Sequence, residues 1–201
     1  MNPFDEKYYT SLNYVGYLNR SGKYDKLCEE IVDFLNCLSL IKKDSKILDY
    51  GCAVGFLLDA FYKRDFKNTH GYDISEFALS KLNKNHKIIN LNENQEFDFC
   101  FMLDVLEHID DENIQKIFSK IQANILVVRI PCSLDGKDFY LEVSKNDKTH
   151  INCKKKTDWV KFINSFGYSL IGLLNLKQIY DSDGVFCGLF FKNDFIQNKY
   201  N

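Results

Sequence analysis

The chain has 201 residues, of which 45% are hydrophobic and 15% aromatic, and its formal net charge is −2 at pH 7. This composition favours a folded core of ordinary domain size and excludes a disordered chain or a strongly basic one that nucleic acid or anionic membranes would attract. No apolar run approaches the roughly 20 residues that span a bilayer, and residues 1–7 lack the apolar segment of a signal peptide.

The first half of the chain alternates helical and extended patterns. Apolar residues at helical spacing between Leu27 and Leu38 predict an amphipathic helix over about residues 23–40. The following patterns predict, in order, a strand over 45–50, a helix over 54–64, a strand that ends at Asp73, a helix that Ser75 caps and a short strand over 86–90.

The second half continues with Phe97–Leu103, which is apolar except for Asp98 and is typical of a parallel core strand. Further patterns predict a helix over 110–120, a strand over 124–130, a helix over 158–166 and strands over 168–176 and 185–192, the last two joined by a turn at 181–184. The long segment 132–154 has no periodicity, so we expect it to be functional or to contain a short element.

This order of elements predicts a Rossmann-like three-layer α/β sandwich whose seven-stranded, mostly parallel sheet has an antiparallel last strand. We expect a single domain over residues 1–201. Residues 1–43 would form an N-terminal lid or cap with a helix, residues 44–130 the cofactor-binding half, and residues 131–201 the substrate loop, a helix and the closing hairpin.

The most informative segment is Lys46–Leu58, a buried strand that runs into a glycine-bearing turn and opens a helix. A second strand ends on Asp73, and this arrangement forms a nucleotide-binding crevice in which an acid can accept hydrogen bonds from both ribose hydroxyls. The segment lacks both the G-x-G-x-x-G dinucleotide motif and the G-x-x-x-x-G-K-[ST] phosphate loop. The Asp49 carboxylate therefore suits a ligand that carries an ammonium group and no phosphates, as S-adenosylmethionine does.

Three segments together resemble the class I S-adenosylmethionine-dependent methyltransferases. They are Asp49-x-Gly51-x-Ala53-x-Gly55, Gly71–Ser75 and Phe97–Ile109, and the resemblance covers about residues 44–191. It implies S-adenosylmethionine as the cofactor, bound by Asp49, Gly51, Cys52, Ala53 and Gly55 at the methionine part, by Asp73 at the ribose, and also by Ile74, Leu103 and Asp104. Ala53 stands where the family more often has glycine, a replacement that costs little if its φ stays negative.

Two residues are candidates for catalysis. In the related enzymes the position of Asp104 faces the reaction centre, where it would hold the donor ammonium through water or orient the acceptor; alternatively, it caps the next helix. His150, at the far end of the long segment, has an ordinary pKa that suits a base for a hydroxyl proton; alternatively, it anchors the next helix. Glu107 and His108 resemble a pair that many related enzymes share, in which the histidine is more often structural.

The N-terminal segment contains Tyr8, Tyr9, Tyr14, Tyr17 and Arg20. It would either fold over the cofactor as a lid, with Arg20 holding the donor carboxylate, or pack on the sheet as an aromatic cap.

Seven cysteines are scattered without a C-x-x-C pair, which argues against a disulfide framework or a zinc site. Because no cluster of histidines and acids has ligand spacing, we expect no metal. The free cysteines indicate a reducing compartment, which we take to be the cytoplasm.

The sequence therefore predicts a cytoplasmic methyltransferase that acts on O or N of a small-molecule or sugar-like acceptor, bound between the tyrosine-rich segment and residues 132–154. Nucleic acid is disfavoured because no [D/N/S]-P-P-[Y/F/W] sequence follows the fourth strand and Cys132 has no second catalytic cysteine or basic flank. Protein or peptide methylation and a non-catalytic binding module are the alternatives. We expect a monomer or homodimer that does not bind membranes.

Overall fold

The computed structural model describes residues 3–10, 16–175 and 183–200, with the side chains of 198–200 left out. Its contacts divide the chain into two compact units, which are the described residues up to Asn90 and those from Leu91 onwards. No helix in the described ranges has the length and apolarity that crossing a membrane requires. Tyr14, Leu176 and the first half of the turn at 181–184 lie outside the described residues.

The first unit contains three parallel strands and four helices. The helices are α1 (Glu6–Thr10), α2 (Ser21–Cys37), α3 (Phe56–Lys63) and α4 (Glu76–Ser80), with a 3₁₀ turn at Tyr17–Asn19 before α2; the strands are β1 (Ile47–Tyr50), β2 (Thr69–Tyr72) and β3 (Lys87–Ile88). Strand β1 pairs with β2 in register Asp49 to Gly71, and β2 pairs with β3. All four residues of β1 are buried, so Asp49 is carried into the interior by an otherwise apolar strand.

The second unit contains the long strands of the sheet. Its strands are β4 (Gln95–Leu103), β5 (Ile121–Pro131), β6 (Tyr168–Leu173) and β7 (Val185–Lys192); its helices are α5 (Asp111–Lys120), α6 (Glu142–Asn146), α7 (Lys156–Asn164) and α8 (Asn193–Tyr200), with a 3₁₀ turn at Leu106–His108. Strand β4 is parallel to β5, whereas β7 runs antiparallel to both β5 and β6. The apolar runs of β4, β5 and β7 supply the core of this unit.

The seven-stranded sheet takes β3-β2-β1 from the first unit and β4-β5-β7-β6 from the second. The predicted α/β fold with a mostly parallel sheet and one antiparallel strand is therefore confirmed. Strand β7 was predicted with its observed bounds, and the long segment 132–154 does contain a short element, α6. Predicted helix ends differ from the observed ones by a few residues, and helices α1 and α8 were not predicted.

Candidate functional site

The turn between β1 and α3 is held in shape by backbone hydrogen bonds. The N–H groups of Gly51 and Cys52 donate to the Tyr72 carbonyl at 2.7 and 2.9 Å, and Gly55 N–H donates to the Cys52 carbonyl at 2.8 Å. Gly51 and Gly55 have φ angles of 78° and 83°, in the left-handed region where glycine is favoured. A Cβ on Gly55 would also lie 2.3 Å from Leu82 Cδ1. The two motif glycines are therefore required by the shape of the turn.

The backbone of Ala53 does not have the negative φ angle under which alanine would replace glycine at little cost. Its φ is 47°, so this alanine adopts the left-handed region that a glycine would occupy without cost. Its N–H donates to Asp73 Oδ2 at 2.8 Å, and this bond holds the strained residue in place. The expectation that alanine is tolerated through a negative φ is wrong; the turn instead carries about 1 kcal/mol of local strain.

Cys52 is buried in the same turn. Its Sγ lies where a Cβ on Gly71 would come within 2.9 Å of it, so the thiol packs against β2. Burial raises the pKa of this thiol far above its ordinary value. Because the thiol is buried against β2, Cys52 would contact a cofactor through its backbone rather than through its side chain.

Asp49 is a buried acid, and no cationic side chain of the described residues pairs with it. The residue is 5% exposed, and its carboxylate has no hydrogen-bond or ion-pair partner among the described residues. Burial, reinforced by the negative charge of Asp73, raises the pKa of Asp49 to about 8. A cationic group beside this carboxylate would relieve the cost of burying its charge.

Asp73 lies just beyond β2 and is positioned by the backbone on both sides. Its Oδ2 accepts the Ala53 N–H and its Oδ1 accepts the Ser75 N–H, each at 2.8 Å. The Ile74 N–H also interacts with this carboxylate, so three of its roughly four acceptor positions are used and one remains for a ribose hydroxyl. The predicted N-cap is confirmed, because Ser75 Oγ accepts the Ala78 N–H at 3.1 Å. The next residue after Asp73, Ile74, is an exposed apolar side chain.

The N-terminal tyrosines pack on this turn. Tyr9 is buried with Val54 and Ala78, and Tyr8 and Tyr17 pack against that cluster. These contacts are those of an aromatic cap. Arg20 precedes α2, and its guanidinium lies 5.7 Å from the centre of the Tyr17 ring.

In the second unit, Asp104 follows β4 in a left-handed conformation with φ 56°. The register of β4 and β5 places Leu103 opposite Arg129, and Asp104 N–H donates to the Arg129 carbonyl at 2.7 Å. The Arg129 guanidinium, 1% exposed, forms an ion pair with both oxygens of Asp104. Burial raises the pKa of Asp104, and the guanidinium opposes that rise.

A polar cluster lies around the 3₁₀ turn that follows. It contains Glu107 and His108 from the turn, and Asp147, Thr149 and His150 from the long segment after β5. The Glu107 carbonyl accepts the N–H groups of Ile151 and Asn152, both at 2.9 Å, and these bonds hold the long segment against the turn. The rings of His108 and His150 are 4.6 Å apart between centres.

His150 is therefore part of a cluster rather than a lone loop residue. Its side chain is 8% exposed, and its Nε2 lies 3.7 Å from Asp147 Oδ2 and 4.0 Å from Glu107 Oε1. Burial lowers the pKa of His150, so the ring is neutral at neutral pH. A neutral ring has an unprotonated nitrogen that could accept a proton, as a general base must. The role of His150 as a base stays a prediction.

Sequence reasoning missed Arg129, Asp147 and Thr149. Arg129 had a signal, because it is the one charged residue within the apolar run Ile125–Ile130 and so needed a buried partner. Asp147 and Thr149 had none beyond their closeness in sequence to His150.

Two comparisons with known proteins bear on this arrangement. A family model described as a methyltransferase domain matches residues 21–171, which is more than half of the chain. The chain belongs to the methyltransferase-domain family. It is a class I methyltransferase, an enzyme that uses S-adenosylmethionine as its methyl donor. A search of curated protein sequences found no match to this methyltransferase.

Solved structures resemble the methyltransferase in fold. The magnesium protoporphyrin IX methyltransferase of Synechocystis PCC 6803 with bound SAH has a TM-score of 0.63 at 17% identity, covering 92% of this chain and 97% of that one. An S-adenosylmethionine-dependent methyltransferase of Clostridium acetobutylicum ATCC 824 has a TM-score of 0.60 at 17% identity, with 85% and 91% covered. The methyltransferase domain of bacterial CtHen1 has a TM-score of 0.56 at 19% identity, with 84% and 97% covered.

The residues of the first unit fit the cofactor that this family uses. Asp49 is a buried acid that pairs with no cation among the residues the structure describes, and Asp73 keeps acceptor capacity beside a tight turn. The cofactor, when bound, supplies a methyl group on a positively charged sulfur. The chain's own contribution is to hold the donor and to manage the proton of the acceptor.

Proposed function

We propose that this methyltransferase transfers the methyl group to an oxygen or nitrogen atom of a small-molecule acceptor. The observation that carries the proposal is the burial of the polar cluster at Glu107, His108 and His150. These side chains are 0%, 11% and 8% exposed, so protein atoms cover them and a large, flat acceptor surface cannot contact them directly.

The charge of the chain supports the same proposal. A formal net charge of −2 provides no general attraction for nucleic acid, whose recognition depends on basic surfaces. One of the solved methyltransferases with a similar fold is named for magnesium protoporphyrin IX, which is a small molecule.

The proposal assigns separate tasks to the two units. In the first, Asp49 pairs with the donor ammonium, Asp73 with a ribose hydroxyl, and the turn from Gly51 to Gly55 with the methionine part. Ile74, Leu103 and Asp104 are further cofactor contacts that the family resemblance implies. Arg20 would hold the donor carboxylate if the N-terminal segment folds over the cofactor. In the second unit, the cluster around Glu107 and His150 binds the acceptor and takes part in the loss of its proton.

The experiment is a methyl-transfer screen with S-adenosylmethionine that carries a labelled methyl group. Panels of hydroxyl and amine metabolites are compared with a mixed peptide library and total RNA under identical conditions. Label transfer to a metabolite, reduced at least tenfold by His150→Gln in a folded sample, supports the proposal. Transfer to peptide or RNA alone would overturn it.

A further inference from the structure

Glu107 is a buried acid whose situation the methyltransferase reaction does not explain. Its side chain is fully buried, and neither carboxylate oxygen has a hydrogen-bond partner in the described part of the chain. An unpaired buried carboxylate is expensive, and a bound cation is one of the few groups that removes this cost.

His108 is oriented in the way that a metal ligand requires. Thr149 Oγ1 donates its single proton to Asp147 Oδ1 at 2.6 Å, so it can only accept from His108 Nδ1, which lies 2.9 Å away. The Thr149 carbonyl lies 3.2 Å from the same nitrogen. The proton of the neutral ring is therefore on Nδ1, and the lone pair is on Nε2, which faces Glu107.

The distances between the candidate ligand atoms are close to those of a coordination sphere. Glu107 Oε1 lies 3.9 Å from His108 Nε2 and 4.0 Å from His150 Nε2. One ligand atom from each of the three residues falls within 4.8 Å of the others. Ligands at about 2.1 Å from a tetrahedral metal are about 3.4 Å apart. Glu107 Oε1 would therefore have to approach each imidazole by about half an ångström, and the two imidazoles would have to approach each other by at most about 1.4 Å.

We infer that Glu107, His108 and His150 together bind a divalent first-row transition-metal cation. Two imidazoles and one carboxylate suit Zn²⁺, Co²⁺ or Fe²⁺ better than Mg²⁺, which prefers oxygen ligands alone. Three protein ligands leave at least one position of the metal open, as in catalytic zinc sites. Thr149 and Asp147 complete the arrangement, because they fix the orientation of the His108 ring.

The sequence showed no sign of a metal site because ligand-spacing motifs detect only residues that are close together along the chain. His150 is 42 residues from His108, so no such motif includes both. The backbone bonds from Ile151 and Asn152 to the Glu107 carbonyl bring the two histidines together.

The open position also gives the cation a role, which rests on the proposed function. An acceptor hydroxyl bound there loses its proton to solvent more readily, because the cation stabilises the resulting oxygen anion. His150 then acts as a ligand rather than as the base expected from the sequence.

The test is a titration of Co²⁺ into the full chain after treatment with a chelator, without cofactor or acceptor, followed by visible absorption. The expected result is one equivalent bound, with the ligand-field bands of nitrogen and oxygen ligands and without thiolate charge-transfer bands. Because neither donor nor acceptor is present, a failure here is separate from a failure of the proposed function. Absence of specific binding to the wild type would overturn the inference, as would binding through thiolate.

Variants identify the ligands. Glu107→Gln and His150→Gln are each expected to weaken Co²⁺ binding at least about 100-fold, since even residues that only orient ligands change affinity 10- to 100-fold. The matched controls are Glu112→Gln, an exposed acid on α5, and His86→Gln, a histidine of the first unit that contacts Asp59. Both controls should bind as wild type does. Unchanged binding in folded Glu107→Gln and His150→Gln would contradict the assignment.

Discussion

The affinity of this methyltransferase for S-adenosylmethionine should depend steeply on pH, because Asp49 must be ionised to pair with the donor ammonium. Its pKa is raised to about 8 by burial and by the charge of Asp73. The ammonium group itself has an ordinary pKa of about 8. Binding therefore requires an ionised carboxylate and a protonated amine at the same time.

The size of the effect follows from these two values. The fraction of molecules in the binding form, carboxylate times ammonium, is about 1% at pH 6 and about 25% at pH 8, so affinity should rise about 25-fold between them. By pH 9 it should fall about threefold as the ammonium is lost. With an ordinary aspartate pKa near 4, affinity would instead fall about twofold between pH 6 and 8.

Isothermal titration calorimetry at pH 6, 7, 8 and 9 measures this dependence. Repeating the titration at pH 7 in buffers of different ionisation enthalpy should show release of about 0.8 proton. Asp49→Asn should bind more weakly and lose the rise between pH 6 and 8. 5′-Methylthioadenosine, which lacks the amino-acid part, serves as a control ligand whose affinity should stay nearly flat.

The same pKa shift carries a stability consequence. The folded-state pKa of Asp49 is raised above its unfolded value. The contribution of this residue to the free energy of unfolding is therefore fully present below about pH 4 and is lost as the pH rises through about 8. Asp49→Asn should therefore unfold at a higher temperature than wild type at pH 9. An affinity that is flat or falling from pH 6 to 8 in folded wild type would refute the reasoning about Asp49, as would an unchanged rise in Asp49→Asn.

Three further substitutions test the local arguments by chemical denaturation. Ala53→Gly should raise the free energy of unfolding by about 0.5–1 kcal/mol, because glycine relieves the left-handed strain; a loss of stability would contradict this. Ser75→Ala should lower it by about 1–2 kcal/mol, through loss of the α4 cap and of the bond from Oγ to the Phe4 carbonyl, whereas the exposed Ser80→Ala should change it little. Asp104→Asn should cost about 3 kcal/mol, since it removes the counter-ion of buried Arg129; a cost near zero would show that the ion pair contributes little.

Much of the fold could be predicted from the sequence because its signals are local. The apolar run Phe97–Leu103 predicted a core strand, and the turn residues before Val185 predicted the closing hairpin. The positions of the glycine turn and of Asp73 could also be predicted, since a tight turn and an acid at a strand end have a fixed place in such sheets. The backbone angle of Ala53 could not be predicted, because it depends on the hydrogen bond that the Ala53 N–H donates to Asp73.

The polar cluster of the second unit was only partly predictable. Glu107, His108 and His150 are each recognisable as candidates in the sequence, but nothing in the linear order shows that they meet. Their meeting depends on the bonds from Ile151 and Asn152 to the Glu107 carbonyl, which are tertiary contacts. The burial that shifts the pKa of Asp49 is likewise a property of the folded chain.

The measurement that most directly tests the central claim is calorimetric titration of S-adenosylmethionine and S-adenosylhomocysteine into wild type and Asp73→Ala at pH 8. Asp33→Ala, an exposed acid on α2, is the matched control. The account predicts micromolar binding of both ligands to wild type and Asp33→Ala, and its loss in Asp73→Ala. Failure of folded wild type to bind either ligand, or undiminished binding by Asp73→Ala, would contradict the account.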